Sequence, residues 1–140
     1  MSSLVERQGN ALDYVTDSKP LVHCVSADYA LGAGIAKQVV KKYNILSDLR
    51  SVGTGVYPDC IKTGNIINMV TKKYYWMKPT YETFVGALLK VQQICKENNI
   101  NHVVMPRIGC GLDRLNWSQC REYIENYLVR EGIDVDVYYL

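Results

Sequence analysis

Three apolar runs constrain this chain more than anything else in it. Residues 20–26 (PLVHCVS), 64–73 (GNIINMVTKK) and 102–106 (HVVMP) string core-type side chains together without a helical period. A half-wet strand alternates apolar and polar positions, whereas runs like these suit strands covered on both faces. Segments of helical period stand between and after them. Residues 32–43 (GAGIAKQVVKKY) set Ile35, Val39 and Val40 against Lys37, Lys41 and Lys42, a helix with one wet face. Residues 79–99 (PTYETFVGALLKVQQICKENN) open on Pro79 and Thr80 and carry Phe84, Leu88, Val91 and Cys95 as a stripe. Residues 116–132 (NWSQCREYIENYLVREG) repeat Cys120, Ile124 and Leu128 every four positions, and Gly132 supplies a C-terminal stop. Shorter strands are expected at 3–9 (SLVERQG) and 135–140 (VDVYYL), and residues 53–59 (GTGVYPD) read as turns around a short extended piece.

Strands alternating with helices favour a mostly parallel sheet with helices on its faces, here one domain over residues 1–140 with no linker or repeat. A chain of 140 residues that is 48% hydrophobic can bury a sizeable core. A net charge of +2 disfavours nucleic acid as the principal partner, so the lysines of 37–42 and 72–78 are read as solvated surface. No leader-like opening and no membrane-length apolar run is present. The five cysteines form no C-x-x-C pair, which fits reduced thiols in an intracellular setting, cytoplasmic or nuclear. His23 and His102 stand at no metal-ligand spacing, so neither a metal nor another cofactor is expected. The absence of heptads makes a monomer the default expectation.

In open α/β sheets ligands bind beyond the carboxyl ends of the strands. The unusual residues gather at three such places, after Val25, after Val70 and after Met105. Residues 26–36 (SADYALGAGIA) set Gly32 and Gly34 before a helix, where free N–H groups attract anions. Lys37 stands where a dinucleotide fingerprint needs its third glycine, and no Walker sequence follows. Residues 108–113 (IGCGLD) flank Cys110 with glycines, a second candidate anion nest; Asp113 there is either a helix-capping acid or a catalytic one. No histidine is placed to activate Cys110. Residues 70–82 (VTKKYYWMKPTYE) end a buried strand in adjacent lysines, and alternation sends Lys72 and Lys73 to opposite faces. A lysine desolvated among other cations loses proton affinity and can act as a nucleophile.

Taken together, residues 23–36 (HCVSADYALGAGIA), the TKK…KPTYE stretch and residues 105–117 (MPRIGCGLDRLNW) resemble the macrodomain family, in its terminal ADP-ribose glycohydrolase branch. The resemblance spans essentially the whole chain. It implies a three-layer α/β/α fold with a mixed, mostly parallel sheet, and a cleft for ADP-ribose whose diphosphate lies between the glycine loops. It further implies removal of ADP-ribose from acidic protein side chains, and deacetylation of O-acetyl-ADP-ribose by related members. By position, Lys72 would attack the anomeric carbon of the distal ribose and Asp113 would serve as general acid and base. Ser26, Gly32, Gly34 and Ile35 would line the phosphates and distal ribose, and Thr71 would sit beside the nucleophile. Arg107, Ile108, Gly109, Cys110, Gly111 and Leu112 would wrap the diphosphate from the other side, and Leu140 would lie near the adenine. One position departs: Asn10 stands where the family has an aspartate that accepts from the adenine amino group, and Ala11 replaces a larger leucine.

The expected partners are therefore ADP-ribose and ADP-ribosylated proteins. Three rival functions share the cleft: a reader without turnover, a phosphatase for ADP-ribose 1″-phosphate, and a hydrolase directed at ADP-ribosylated DNA. The presence of both Lys72 and Asp113 argues against the reader.

Overall fold

The structure, a computed structural model, describes residues 2–111 and 113–140. In chain order the elements are β1 (Leu4–Gln8), β2 (Leu21–Ser26), α1 (Gly34–Tyr43), α2 (Leu46–Val52), β3 (Asp59–Thr63), β4 (Ile66–Lys72), α3 (Tyr81–Glu97), β5 (His102–Pro106), α4 (Trp117–Tyr127) and β6 (Asp134–Tyr139), with single 3-10 turns at Ala11–Tyr14 and Val129–Glu131. The strands form one six-stranded sheet in the order β1-β6-β5-β2-β4-β3. Every neighbouring pair is parallel except β3 with β4. This is a mixed, mostly parallel sheet in an α/β fold.

The three apolar runs occupy β4, β2 and β5, side by side in the middle of the sheet. Their alternation divides two cores. Ile67 and Met69 of β4 pack with Phe84, Leu88 and Val91 of α3 and Ile124 of α4 on one face. Ile66 and Val70 pack with Val39 of α1 and Leu49 of α2 on the other. Both faces are thus covered by helices, which is why these strands carry no polar face. A buried polar pair interrupts the second core: His23 Nε2 and Asn68 Oδ1 lie 2.6 Å apart, and Asn68 Nδ2 donates to the Ile61 carbonyl and to Thr63 Oγ1, each at 2.9 Å.

The helix starts follow local chemistry. Thr80 caps α3 in a reciprocal capping box with Thr83. Asn116 caps α4, accepting from the Gln119 N–H. Asp113 is therefore not the cap of that helix. α1 begins at Gly34, two residues later than its glycine pattern suggests, because Ala33 stays extended at φ −149°. The expected last helix ends early, at Tyr127, and a 3-10 turn carries the chain to Gly132, whose φ of 88° closes it. Two elements depart from the sequence pattern. α2 has one buried residue, Leu49, too few to set a period. The extended piece expected within 53–59 lies later, in β3, where edge pairing with β4 supplies its order.

Candidate functional site

A cleft of about 920 Å³ runs along the carboxyl ends of the parallel strands. Its walls come from the turns after β1 and β2, the first turn of α1, and the segments after β4, β5 and β6. From β1 to β4 there are four interstrand steps, about 19 Å at the usual sheet spacing. The cleft is a trough, with different chemistry at its two ends.

At the β4 end, Lys72 Nζ donates to Asp113 Oδ1 at 2.6 Å. Their side chains are 13% and 12% exposed, so the pair is largely withdrawn from water while both residues line the cleft. Strand geometry separates Lys72 from its neighbours. Residues 67, 69 and 71 of β4 face α3 and α4, so Thr71 is fully buried and lies off the cleft. A register shift between Val25 and Ser26 pairs Ser26 with Lys72. Lys73 turns outward, its ammonium 5.3 Å from the centre of the Tyr74 ring.

The turn that delivers Asp113 is built on close packing. Gly109 has φ 81°, and a β-carbon there would meet Cys120 Sγ at 3.1 Å. Leu115 N–H donates to the Gly109 carbonyl at 2.6 Å, and Asn116 N–H to the Tyr81 hydroxyl at 3.0 Å. These contacts seat the turn on α3 and α4.

The middle of the cleft is main chain. Ala33, Gly34, Ile35 and Ala36 line it, and α1 has neither a capping side chain nor an acid in its first turn. Its first N–H groups therefore face the cleft unclaimed by side chains, a setting that suits an anion. Side chains added at Gly32 or Gly111 would meet almost nothing: the nearest atom to a β-carbon at Gly32 is 3.8 Å away, and none lies within 4 Å at Gly111.

The turn after β2 is held by residues outside the cleft. Tyr29 has φ 52° and is buried against Gly53, and its hydroxyl accepts from the Gly55 N–H at 3.2 Å. Asp28 accepts from Ser26 Oγ, from the Ala30 N–H and from the Tyr75 N–H. Burial pushes the Asp28 carboxyl up, but these bonds outweigh it and hold it below the ordinary carboxylate range. Ala27 and Asp28 N–H donate to the carbonyls of Lys72 and Lys73, at 2.8 and 3.2 Å.

No family model matches the chain. Curated relatives and solved structures do. ADP-ribose glycohydrolase OARD1 of Bos taurus is 35% identical over 96% of this chain and 95% of its own length. The chain belongs to the macrodomain family, in the branch of the OARD1 glycohydrolases. The macrodomain of Thermus aquaticus DarG covers the whole of both chains with a TM-score of 0.84 at 21% identity. Thermosipho africanus DarTG, solved in complex with ADP-ribose, matches 99% of this chain and 42% of its own with a TM-score of 0.77 at 18% identity.

This macrodomain brings most of the sequence-derived candidates to one cleft: Asn10, Ala11, Ser26, Gly32, Gly34, Ile35, Lys72, Arg107, Ile108, Gly109, Gly111, Asp113 and Leu140 all line it. Thr71 and Cys110 do not, and Leu112 lies outside the described residues. The Cys110 thiol donates to the Ile108 carbonyl at 3.5 Å, and the residue lines a second cavity beside Trp117 and Tyr139. Arg107 lines the cleft with its guanidinium already engaged. Its Nε donates to Glu6 at 3.0 Å, and its guanidinium lies 4.4 Å from the Tyr139 ring centre, so it stands as a pillar between the two cavities. Burial raises the Glu6 carboxyl, but bonds from Arg107 and Trp117 and the Arg107 and Arg121 charges bring it below its usual range. Cys24, which also lines the cleft, is a neutral thiol, since burial and the Asp113 charge push it up. Sequence reasoning missed Asp28 and Tyr29, which hold the turn after β2. Asp28 had a legible signal, an acid two residues past a buried strand end; Tyr29 acts through a contact with Gly55 that no local pattern encodes.

Proposed function

We propose that this macrodomain is an ADP-ribosyl hydrolase that releases ADP-ribose from acidic protein side chains through a covalent lysine adduct. The observation that carries the reading is the buried Lys72–Asp113 pair at one end of a long anion-suited trough. The name of the bovine relative and the ADP-ribose held by the Thermosipho protein support the substrate class.

In this reading the diphosphate rests on the free N–H groups of α1 and the turn at Gly109 and Gly111, and the distal ribose lies at Lys72. Asp113 takes a proton from the Lys72 ammonium across the 2.6 Å contact, freeing the amine. The amine lone pair attacks the anomeric carbon, and the carbon–oxygen bond to the carboxylate breaks, the carboxylate leaving with its electron pair. The departed carboxylate takes one proton from the new ammonium, and transfer of the remaining N–H proton to the ring oxygen opens the ribose to a lysyl Schiff base. Water adds to that carbon, Asp113 returns a proton to the nitrogen, and ADP-ribose departs with the lysine restored. An O-acetyl ester of the distal ribose, in the same position, is the second substrate this reading implies.

The test is reductive trapping. Incubation with glutamyl-ADP-ribose and borohydride should attach one ADP-ribose, less one oxygen, to the peptide containing Lys72 as a secondary amine, and Lys72→Ala should abolish both trapping and turnover. Turnover by Lys72→Ala, or binding of ADP-ribose with no turnover by the unaltered chain, overturns the reading; the second result would make the protein a reader.

A further inference from the structure

Beside the Lys72–Asp113 pair, the wall of the trough continues over Tyr75, Trp76, Met77 and Lys78, from the segment after β4, and over Arg114, from the turn that carries Asp113. The two segments are joined just beyond these residues, where the Asn116 N–H donates to the Tyr81 hydroxyl at 3.0 Å. Resting on the hydrolase reading, the distal ribose lies at Lys72 and its ester carboxylate points away from the diphosphate. The protein chain that bears the carboxylate therefore lies along this rim.

The rim offers ring surface that is already in place. Tyr75 and Trp76 are 65% and 69% exposed. The Tyr74 ring stacks on Trp76, with centres 5.6 Å apart and planes 11° from parallel. The Met77 N–H closes the turn on the Tyr74 carbonyl at 3.0 Å, and the Tyr75 N–H is tied to Asp28. Large rings held open to water mark a contact surface, and they suit the backbone and side-chain stems of an extended peptide.

Charge selects among peptides. Asp113 is the one acid among the described residues that line the cleft. Of the four cations that line it, Lys72 is paired with Asp113 and Arg107 with Glu6. The other two, Lys78 and Arg114, are exposed and pair with no carboxylate among the described residues. They stand on the two segments that flank the reacting pair.

We propose that this rim docks an acidic protein segment around the modified side chain, with Lys78 and Arg114 pairing with carboxylates that flank the ester and the Tyr75 and Trp76 rings covering their stems. A polynucleotide fits less well, because it is held by a track of cations along its phosphates, and two unpaired cations make no track.

Steady-state hydrolysis by the full chain tests this with three ester-linked substrates: capped glutamyl-ADP-ribose, and two peptides whose modified glutamate is flanked by glutamates or by glutamines. The acidic peptide should show a KM about threefold to tenfold lower than the neutral one at equal kcat, the span of two exposed ion pairs. Salt at about 0.5 M should erase the difference. The double variant Lys78→Gln/Arg114→Gln should lose the preference and still hydrolyse capped glutamyl-ADP-ribose as the unaltered chain does, which also reports that it folds. Trp76→Ala should raise KM for both peptides and leave the capped amino-acid substrate unchanged. Equal KM for the two peptides, a preference that survives the double variant, or stronger inhibition by a single-stranded oligonucleotide than by the unmodified acidic peptide overturns the inference while the hydrolase reading stands. Turnover of none of the three substrates overturns that reading and the inference with it.

Discussion

Replacing Asp113 by Asn isolates the charge of the Lys72–Asp113 pair while keeping its shape. At 2.6 Å, the gross Coulomb attraction is about 6 kcal/mol for an effective dielectric near 20. Most of that is offset by the cost of desolvating two side chains that are 13% and 12% exposed. Removing one charge leaves that desolvation cost without its offset. Asp113→Asn should therefore destabilise the fold by about 3 kcal/mol, which for a domain of this size lowers the melting temperature by roughly 10 °C. Lys72→Met should cost a similar amount by stranding the carboxylate. The double variant strands neither, so its cost should fall well below the sum of the two singles, a coupling measurable by urea unfolding. Turnover of an ester-linked substrate should fall about 10²- to 10⁴-fold in Asp113→Asn, the usual span for a lost proton-transfer group. Additive stabilities in the double variant would refute the picture of a desolvated, mutually dependent pair. Undiminished turnover in Asp113→Asn would refute proton transfer at this carboxylate.

Three other outcomes follow from the same geometry. Gly53→Ala should destabilise by about 1–3 kcal/mol, since its methyl group would lie 2.3 Å from the Tyr29 ring; thermal unfolding measures this, and ADP-ribose affinity should fall with it because Tyr29 anchors the turn after β2. Gly111→Val should do the opposite, leaving the melting temperature within about 2 °C while cutting ligand affinity in a titration, because its new side chain enters open cleft. His23 is fully buried, and burial lowers its pKa from 6.5 to about 4. Below pH 6.5 the unfolded chain takes up a proton that the folded chain refuses, so stability falls as pH drops toward 4, by roughly 3 kcal/mol from this residue; urea unfolding across that window should show the slope, and His23→Gln should reduce it.

The central sheet was legible because its strands are buried on both faces, and a strand with no wet side writes an unbroken apolar run. Ile66, Ile67, Met69 and Val70 announce β4 without any tertiary information. α2 and β3 write no such run. Leu49 alone anchors α2 in the core, and β3 is an edge strand whose order comes from pairing with β4. The site divides in the same way. Glycines beside a helix start and adjacent lysines at a strand end are local signals, and they led to the cleft. Asp113 was ambiguous because a carboxylate shortly before a helix serves equally as a cap, and the cap turned out to be Asn116, three residues on. The Arg107–Glu6 ion pair was not legible, because its two members lie 101 positions apart. Contacts of that separation leave no trace in a local pattern.

The backbone bonds from Ala27 and Asp28 to the carbonyls of Lys72 and Lys73, reinforced by the Asp28 side chain on Tyr75, yoke two loops that would otherwise shift independently. Whatever displaces the turn after β2 must drag the end of β4 with it. A ligand that shifts the turn after β2 should thus shift the Lys72 amine with it, and mutations at the far side of Tyr29 should register as errors of aim at Lys72.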